Sequence, residues 1–385
     1  MALIDLINQS DLLVVGSGFF GLTVAERVAN DLNLKVSLID KRSHLGGNAY
    51  SFVDEASGIE VHKYGSHLFH TSNQKIWEYV NRFTNFNQYV HRVFSIHNGK
   101  IFSFPPNLHT VSQIYGRYFS PEEARILISK SRLELSGSED NLENRAISMV
   151  GREIYDALIK GYTHKQWQVD PKLLPAETIS RIPFRFTFDN RYFDDTHQGL
   201  PQNGYEAWFL KMIESKNINL FLEQDYFDFR DEVKVPTVYT GPVDKYFNFL
   251  EGKLSWRTLD FDLQRLEVED FQGVSVMNYA DLDVDFTRIH EFKHLHPERV
   301  YGPMTIISRE YSRVAEVDDE PYYPINSLQD KAIMQKYREK IGLEEKRRIF
   351  FGGRLGTYKY LDMHMAIGSA LNLYENKLKN LLVSG

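Results

Sequence analysis

Gly16-Ser17-Gly18-Phe19-Phe20-Gly21, set between the apolar run Leu12 to Val15 and an amphipathic stretch ending near Ala29, limits the fold of this chain more than any other feature. A glycine turn at such a junction lets backbone approach a pyrophosphate at a helix N-terminus, where free N–H groups and the helix dipole favour an anion. A second apolar run, Val36 to Ile39, ends in Asp40, at the spacing where an acid takes ribose hydroxyls and disfavours a 2′-phosphate. Strand, helix and strand in that order predict a right-handed βαβ unit. A plain tight turn is the alternative, and the placed acid tells against it. Leu45-Gly46-Gly47-Asn48 follows closely. Taken alone it also reads as a helix-cap turn; beside the first motif it predicts FAD, because an extended flavin dinucleotide needs a second point of backbone approach. Only one complete G-x-G-x-x-G is present, which speaks against a reductase with a second dinucleotide domain.

At 385 residues the chain has room for two or three domains, and 42% hydrophobic with 25% charged residues is a globular composition. It contains no cysteine, which excludes disulfides, thiolate nucleophiles, iron–sulfur clusters and cysteine zinc sites. A net charge of -7 gives no footprint for nucleic acid. The N-terminal MALIDLINQS carries an acid where a secretory signal needs positive charge, and no apolar run reaches the length of a bilayer span, so a cytoplasmic protein without a membrane span is expected. Thr71 and Ser72 are N-cap candidates for a helix through Trp77 to about Phe83. Residues from about 110 to 162 read as helical, with a capping box at Ser120-Pro121-Glu122-Glu123 and a polar break from Ser136 to Asn141. Residues 181–193 and 254–313 are rich in alternating β-branched and aromatic types and predict antiparallel strands. Phe350 to Gly353 reads as a strand end, and Met363 to about Leu381 as a final amphipathic helix. The expected fold class is α/β. A discontinuous Rossmann-like FAD-binding domain (residues 1–85, 200–245 and 346–385) carries an inserted helical domain (108–170) and an inserted antiparallel β-sheet domain (86–107, 171–199 and 246–345).

Residues with ligand chemistry fall in clusters. His62, His67 and His70 surround Gly65; with no carboxylate at metal-ligand spacing they read as a flavin-side loop, and no metal is expected. His290-Glu291-Phe292-Lys293-His294 spells H-E-x-x-H, whose zinc chemistry needs both histidines on one helical face. The segment has period two instead, predicting a strand with His290, Phe292, His294 and His296 on one side. Gly161 to Trp167 offers two aromatic faces on which a base could stack, or ordinary aromatic packing. Arg181, Arg185, Arg191 and Arg288 have forks suited to a diphosphate, although arginine on a strand is often only a solvated face. Tyr322, Tyr323, Tyr358 and Tyr360 put phenols near the flavin end, able to hydrogen-bond without titrating near neutral pH. Gly352-Gly353-Arg354-Leu355-Gly356 precedes the last helix, whose N-terminus can aim at the flavin pyrimidine ring and favour the anionic reduced form.

As a set, GSGFFG, HLGGNAY, VHKYGSHLFHTS, KGYTHKQW, SRIPFRFTFDNRYF, VMNYADLDVDFTRIHE, EYSR, PYYPI and FGGRLGTYKYLDMHMA, in order from about Asp11 to Leu381, closely resemble the bacterial UDP-galactopyranose mutases. The resemblance implies an FAD-dependent isomerase that interconverts UDP-galactopyranose and UDP-galactofuranose, with N5 of the reduced flavin as covalent nucleophile at the anomeric carbon, and that supplies galactofuranose for cell-surface glycans. Two rival readings are a flavin amine oxidase or desaturase, which should need no diphosphate clamp, and a non-catalytic nucleotide-sugar or flavin binding protein, which would bind without turnover. By resemblance, FAD contacts fall at Gly16, Gly18, Phe20, Gly21, Asp40, Gly47, Asn48, His67, Leu68, Arg354, Leu361, Asp362 and Met363. The uridine side falls at Thr163, Trp167, Tyr192 and Asn278, with Tyr162 stacking on the uracil. Arg181 on a mobile loop, Arg288, Tyr323 and Tyr360 fall at the diphosphate, and these four with His67 form the expected catalytic set. An electron donor of the NAD(P)H kind and a second copy in a homodimer complete the expected partners. Two departures stand out: Ser66 where many members have proline, and His91 where some have asparagine.

Overall fold

The structure is a computed structural model that describes residues 2–133, 135, 138–179, 182–316 and 319–383. Arg181, together with Ser136 and Gly137 of the expected polar break, lies outside the described residues. Leu12–Val15 and Val36–Ile39 are buried at every position, so they read as unbroken apolar runs because both faces of their sheet are covered. They belong to a five-stranded sheet ordered Ile349–Phe351, Thr237–Tyr239, Leu12–Val15, Val36–Ile39 and Ile218–Phe221, with every neighbouring pair parallel. The helix Phe19–Asp31 buries Leu22, Ala25, Val28 and Ala29 and shares one core with the sheet and with the helix Met363–Leu373. Distant parts of the chain thus complete one Rossmann-like α/β unit.

Helices Leu108–Ile114, Pro121–Leu133 and Leu142–Val150 enclose a second core built on Val111, Ile147, Tyr155 and Leu158. The capping box forms: Ser120 N–H donates to Glu123 Oε2 at 2.9 Å, and Glu123 N–H to Ser120 Oγ at 3.3 Å. Asn141, at the end of the polar break, caps the next helix by accepting from Asn144 N–H at 2.9 Å. Helical structure runs further than the sequence suggests, since a π turn at Tyr155–Lys160 continues into Gly161–Trp167. Tyr162, Thr163 and Trp167 are therefore held on a helix rather than in a loop after one.

The third unit is a seven-stranded sheet ordered Tyr323–Pro324, Trp256–Leu266, Thr305–Val314, Arg288–Glu291, Val276–Tyr279, Val93–His97 and Lys100–Phe104. It is antiparallel except where Val276–Tyr279 runs parallel to Val93–His97. Its register sets Ser95, Asn278, Arg288, Glu310 and Phe261 opposite one another on successive strands, and directly opposed residues share a face.

Four local expectations are corrected. Asn73, not Thr71 or Ser72, caps the helix Gln74–Val80, accepting from Lys75 N–H at 3.0 Å and Ile76 N–H at 3.2 Å. Among the described residues of 181–193 only an isolated bridge at Arg185 forms; Ile182, Phe184 and Phe186 instead anchor the segment on the helical core. The strand at Arg288 stops at Glu291, and Phe292–Leu295 is a tight helical turn. After Ile349–Phe351 a short helix, Gly353–Thr357, intervenes before the long helix begins at Met363. Among the described residues no helix is long and apolar enough to cross a membrane.

Candidate active site

The two glycine motifs meet. Gly46 N–H donates to Ser17 C=O at 2.9 Å, and a Cβ on Gly47 would come within 3.3 Å of Gly18 Cα. Gly16, at φ +100°, makes the turn out of the strand, and a Cβ on Gly21 would stand 1.9 Å from Gly16 O, so that glycine serves close helix–strand packing. A Cβ on Gly18 would meet nothing within 4 Å among the described residues, leaving the first turn of Phe19–Asp31 open to an approaching group. Asp40, 8% exposed, accepts from Ser17 N–H at 2.7 Å and Ser17 Oγ at 2.6 Å, tying the end of the second strand to the loop. Asn48 Oδ1 is held by Arg42 at 2.9 Å, and Arg42 lies 4.7 Å from the Tyr64 ring. Phe20 is buried with its ring beneath Gly352, so only its backbone is available to a ligand. An open N-terminal turn, two contiguous glycine loops and an acid on the following strand fit the pyrophosphate and ribose of a dinucleotide such as FAD.

Beside this cradle, toward the seven-stranded sheet, lies a cavity of about 470 Å³. His67, Leu68, Arg354, Tyr360, Asp362 and Met363 line it from the α/β unit, and Tyr162, Thr163, Trp167, Tyr192, Asn278, Arg288 and Tyr323 from the other two. Leu361 is not in the wall; its carbonyl accepts from Arg354 at 2.8 Å, which also donates to Tyr322 C=O at 3.1 Å. The held guanidinium lies 4.8 Å from the Tyr360 ring, and that ring stacks on Tyr323 with centroids 5.8 Å apart. His67 Nδ1 faces Gly65 C=O at 2.7 Å, so Nδ1 carries the proton and Nε2 is an acceptor. Burial pushes the His67 pKa down to about 4, which keeps the ring neutral.

Asn278 is 6% exposed, and its Oδ1 has no hydrogen-bond partner among the described residues, so the cavity wall offers an acceptor ready for an N–H of a ligand. Arg288, opposite it in register, lies with Nε 3.4 Å from Glu310 Oε1 and donates to the Tyr162 hydroxyl. Lys165 locks the Tyr162 helix to the loop between these strands, donating to the carbonyls of Tyr279, Asp281, Val284 and Phe286 at 2.7 to 3.1 Å. Burial lowers its pKa to about 8. Arg185 and Arg191 take no part in the cavity wall: Asp194 holds the first at 2.6 Å and Asp189 the second at 2.7 Å. His91 is in the wall, with its ring 5.2 Å from Tyr192.

The histidines separate into different jobs. His62 Nδ1 accepts the His67 N–H at 3.0 Å, and His70 pairs with Asp195 at 2.6 Å, a carboxylate distant in sequence that local spacing does not reveal. His70, Asp362 and His364 bring candidate ligand atoms within 4.8 Å of one another, and with His70 Nδ1 engaged by Asp195 only its Nε2 could serve as a ligand. The H-E-x-x-H pair is split by the sheet. His290 shares the cavity face with Arg288, two residues before it, whereas Glu291 points to the other face. There Glu291 and Asp270 hold His294 at 3.5 and 3.2 Å. Glu291 also accepts backbone N–H groups of Phe271 and Gln272 and the Thr305 hydroxyl, so hydrogen bonds alone account for this buried carboxylate. Sequence reasoning missed Ser66, His290 and Glu310 as cavity residues; the period of two from Arg288 was the available signal for His290.

A family profile described as UDP-galactopyranose mutase matches residues 157–360, and one described as an NAD(P)-binding Rossmann-like domain matches residues 14–83. A probable UDP-galactopyranose mutase of Klebsiella pneumoniae is 38% identical, with the match covering 97% of this chain and 96% of that protein. A dTDP-fucopyranose mutase of Escherichia coli is 37% identical, covering 97% and 99%. A crystal structure of reduced UDP-galactopyranose mutase aligns with a TM-score of 0.72 at 16% identity, covering 97% of this chain and 94% of that one. A putative protoporphyrinogen oxidase from Exiguobacterium sp. 255-15 aligns with a TM-score of 0.63 at 11% identity, covering 97% and 99%. At such identities these two structures speak for the fold alone, which a mutase and an oxidase share. The sequence matches are more specific: one spans the helix, strands and tyrosine turn that line the cavity, others nearly the whole length, and by them this chain belongs to the UDP-galactopyranose mutase family of isomerases.

Proposed function

We propose that this chain interconverts UDP-galactopyranose and UDP-galactofuranose, with FAD in the glycine cradle and the nucleotide sugar in the adjoining cavity. The observation that carries the reading is the row Asn278–Arg288, an unpartnered acceptor beside a cation, in a wall completed by Tyr323 and Tyr360. Asn278 Oδ1 accepts the N3–H of the uracil. Tyr162, Thr163, Trp167 and Tyr192 enclose the base and ribose. Arg288, Tyr323 and Tyr360, joined by Arg181, hold the diphosphate as negative charge grows on the departing UDP. His67, neutral, borders the sugar with an acceptor nitrogen. The FAD contacts are assigned to Gly16, Gly18, the Phe20 backbone, Asp40, Gly47, Asn48, Leu68, Arg354 and the turn Leu361 to Met363, with Gly21 serving the packing beneath them. When bound and reduced, the flavin would supply the nucleophile for the anomeric carbon. The domain boundaries given above, a cytoplasmic location, an NAD(P)H-class electron donor, a homodimer and delivery of galactofuranose to cell-surface glycans go with this reading.

The test is to incubate the FAD-loaded protein, reduced with dithionite, with UDP-galactofuranose and follow UDP-galactopyranose by chromatography. A parallel arm uses dTDP-fucofuranose, because the Escherichia coli relative is named for that sugar. Turnover of the UDP sugar only by reduced protein is expected. Equal turnover by oxidised, reductant-free protein would remove the flavin nucleophile, and preference for the dTDP sugar would move the substrate.

A further inference from the structure

A buried chain of hydrogen bonds reaches the cavity wall beside the Arg288–Glu310 pair. Ser66 Oγ lies 2.8 Å from His290 Nδ1, and His290 Nε2 lies 3.2 Å from Glu310 Oε2. Thr287 Oγ1 donates to the other carboxylate oxygen at 3.1 Å. His290 and Glu310 are each 2% exposed, and all three members of the chain line the cavity. Gly65, at φ +85°, turns the backbone so that Ser66 is pressed against the sheet; a Cβ on Gly65 would stand 3.2 Å from Phe261 and 3.7 Å from Glu310 Oε2.

The protons in this chain can be assigned from its acceptors. Glu310 is ionised: burial opposes its charge, but Arg288 and the hydrogen bonds from His290 and Thr287 bring its pKa to about 2. A carboxylate only accepts, so His290 Nε2 carries the hydrogen. Burial pushes the His290 pKa down, which leaves the ring neutral and Nδ1 bare. Nδ1 must then accept, and the donor facing it is the Ser66 hydroxyl. With its one hydrogen committed to His290, Ser66 presents only lone pairs to the cavity, made more basic by the polarised chain behind them.

We propose, building on the mutase reading, that Ser66 is a sugar-recognition residue whose oxygen accepts a hydrogen bond from one hydroxyl of the hexose, with His290 and Glu310 as positioning residues that hold it acceptor-outward. Ser66 immediately precedes His67 on the flavin-side loop and is joined to His290, two residues along the strand from Arg288, so it borders the space between that loop and the Arg288 row, where the hexose of a nucleotide sugar lies when its diphosphate is gripped by Arg288. A bare acceptor matched to a donor discriminates strongly, because a deoxy or fluoro sugar leaves it unpaired.

The experiment measures kcat/KM of reduced protein for UDP-galactofuranose and its monodeoxy and monofluoro analogues, with wild type, Ser66→Ala and His290→Phe, after checking flavin content and Tm. In wild type, one deoxy analogue and the fluoro analogue at the same carbon lose about tenfold or more relative to the parent sugar. In Ser66→Ala the parent falls by about the same factor, and the penalty at that carbon disappears. His290→Phe reduces the penalty at that carbon selectively, whereas a merely structural role would lower every sugar equally. Identical analogue patterns in wild type and Ser66→Ala would overturn the proposal while leaving mutase activity intact. Absence of turnover by wild type would instead remove the mutase reading on which it stands.

Discussion

The glycine cradle and the sheet-lined cavity adjoin one another, yet they are built from different materials. The cradle is made of backbone: a turn at Gly16, a helix end open above Gly18, and a second loop touching the first through Gly46 N–H. Side chains make the cavity, carried to one face by strands and a helix far apart in sequence, with Asn278, Arg288 and Glu310 aligned only by register. Backbone sites fail by steric block, of the fold or of the ligand; side-chain sites fail one interaction at a time. Substitutions in the two regions should therefore differ in kind as well as in size.

The largest effect is expected at Gly21. Its added Cβ would sit 1.9 Å from a backbone oxygen, which cannot swing aside as a flexible side chain would. Gly21→Ala should cost about 3 kcal/mol or more of stability and yield little folded protein. Gly18→Ala sharpens the comparison, since that Cβ meets open space at φ −70°. It should fold with an unchanged apoprotein Tm and bind FAD poorly. Normal flavin content in folded Gly18→Ala would mean that the pyrophosphate lies elsewhere.

On the cavity side, Arg288→Ala should leave the flavin in place and lower kcat/KM by about 2–4 kcal/mol, roughly thirty-fold to a thousand-fold, through the charge growing on the leaving diphosphate. Arg288→Lys should recover little, because it keeps the charge and loses the fork. Near wild-type kcat/KM in both variants would place the clamp elsewhere. The contrast between the regions also explains what was readable in advance. The parallel unit announces itself because its signals are local: an unbroken apolar run, a glycine turn and an acid a fixed distance on. Ser66, His290 and Glu310 join across 224 and 20 residues of sequence, and no local period reports such a junction. Residues 181–193 misled for the opposite reason: their aromatic alternation mimics a strand, while in the described part of the segment the rings serve as anchors on the helical core.

Lys165 gives an intermediate test, because it supports the cavity without facing the diphosphate. Its ammonium shares three N–H donors among four carbonyls, Tyr279 at the end of the Asn278 strand and Asp281, Val284 and Phe286 in the loop that leads to the Arg288 strand. Lys165→Met leaves those acceptors half-buried and should cost about 2–3 kcal/mol of stability, read as a lower denaturant midpoint. KM for the nucleotide sugar should rise more than kcat falls, since Tyr162 and Trp167 lose their register against Asn278. A fall in kcat alone would detach this lysine from base recognition.

The smallest effect belongs to His294, the half of H-E-x-x-H that left the cavity. Its pKa is raised above the ordinary histidine value, first by the hydrogen bond to Glu291 and then by the charges of Glu291 and Asp270, against the opposing pull of burial. A group whose folded pKa is raised contributes stability that is fully present below its unfolded value, near pH 6.5, and that disappears as the pH climbs through the folded value. The partly exposed Asp270 screens the interaction, so the effect is modest. His294→Gln should lower Tm by about 1–2 °C at pH 6, and the difference from wild type should fade as the pH is raised toward 9. Chelator should leave both proteins unchanged at either pH, because hydrogen bonds already satisfy Glu291. A wild-type Tm that drops with chelator, and an His294→Gln variant indifferent to it, would turn this cluster from an ion pair into a metal site and give the far face of the sheet a second kind of chemistry.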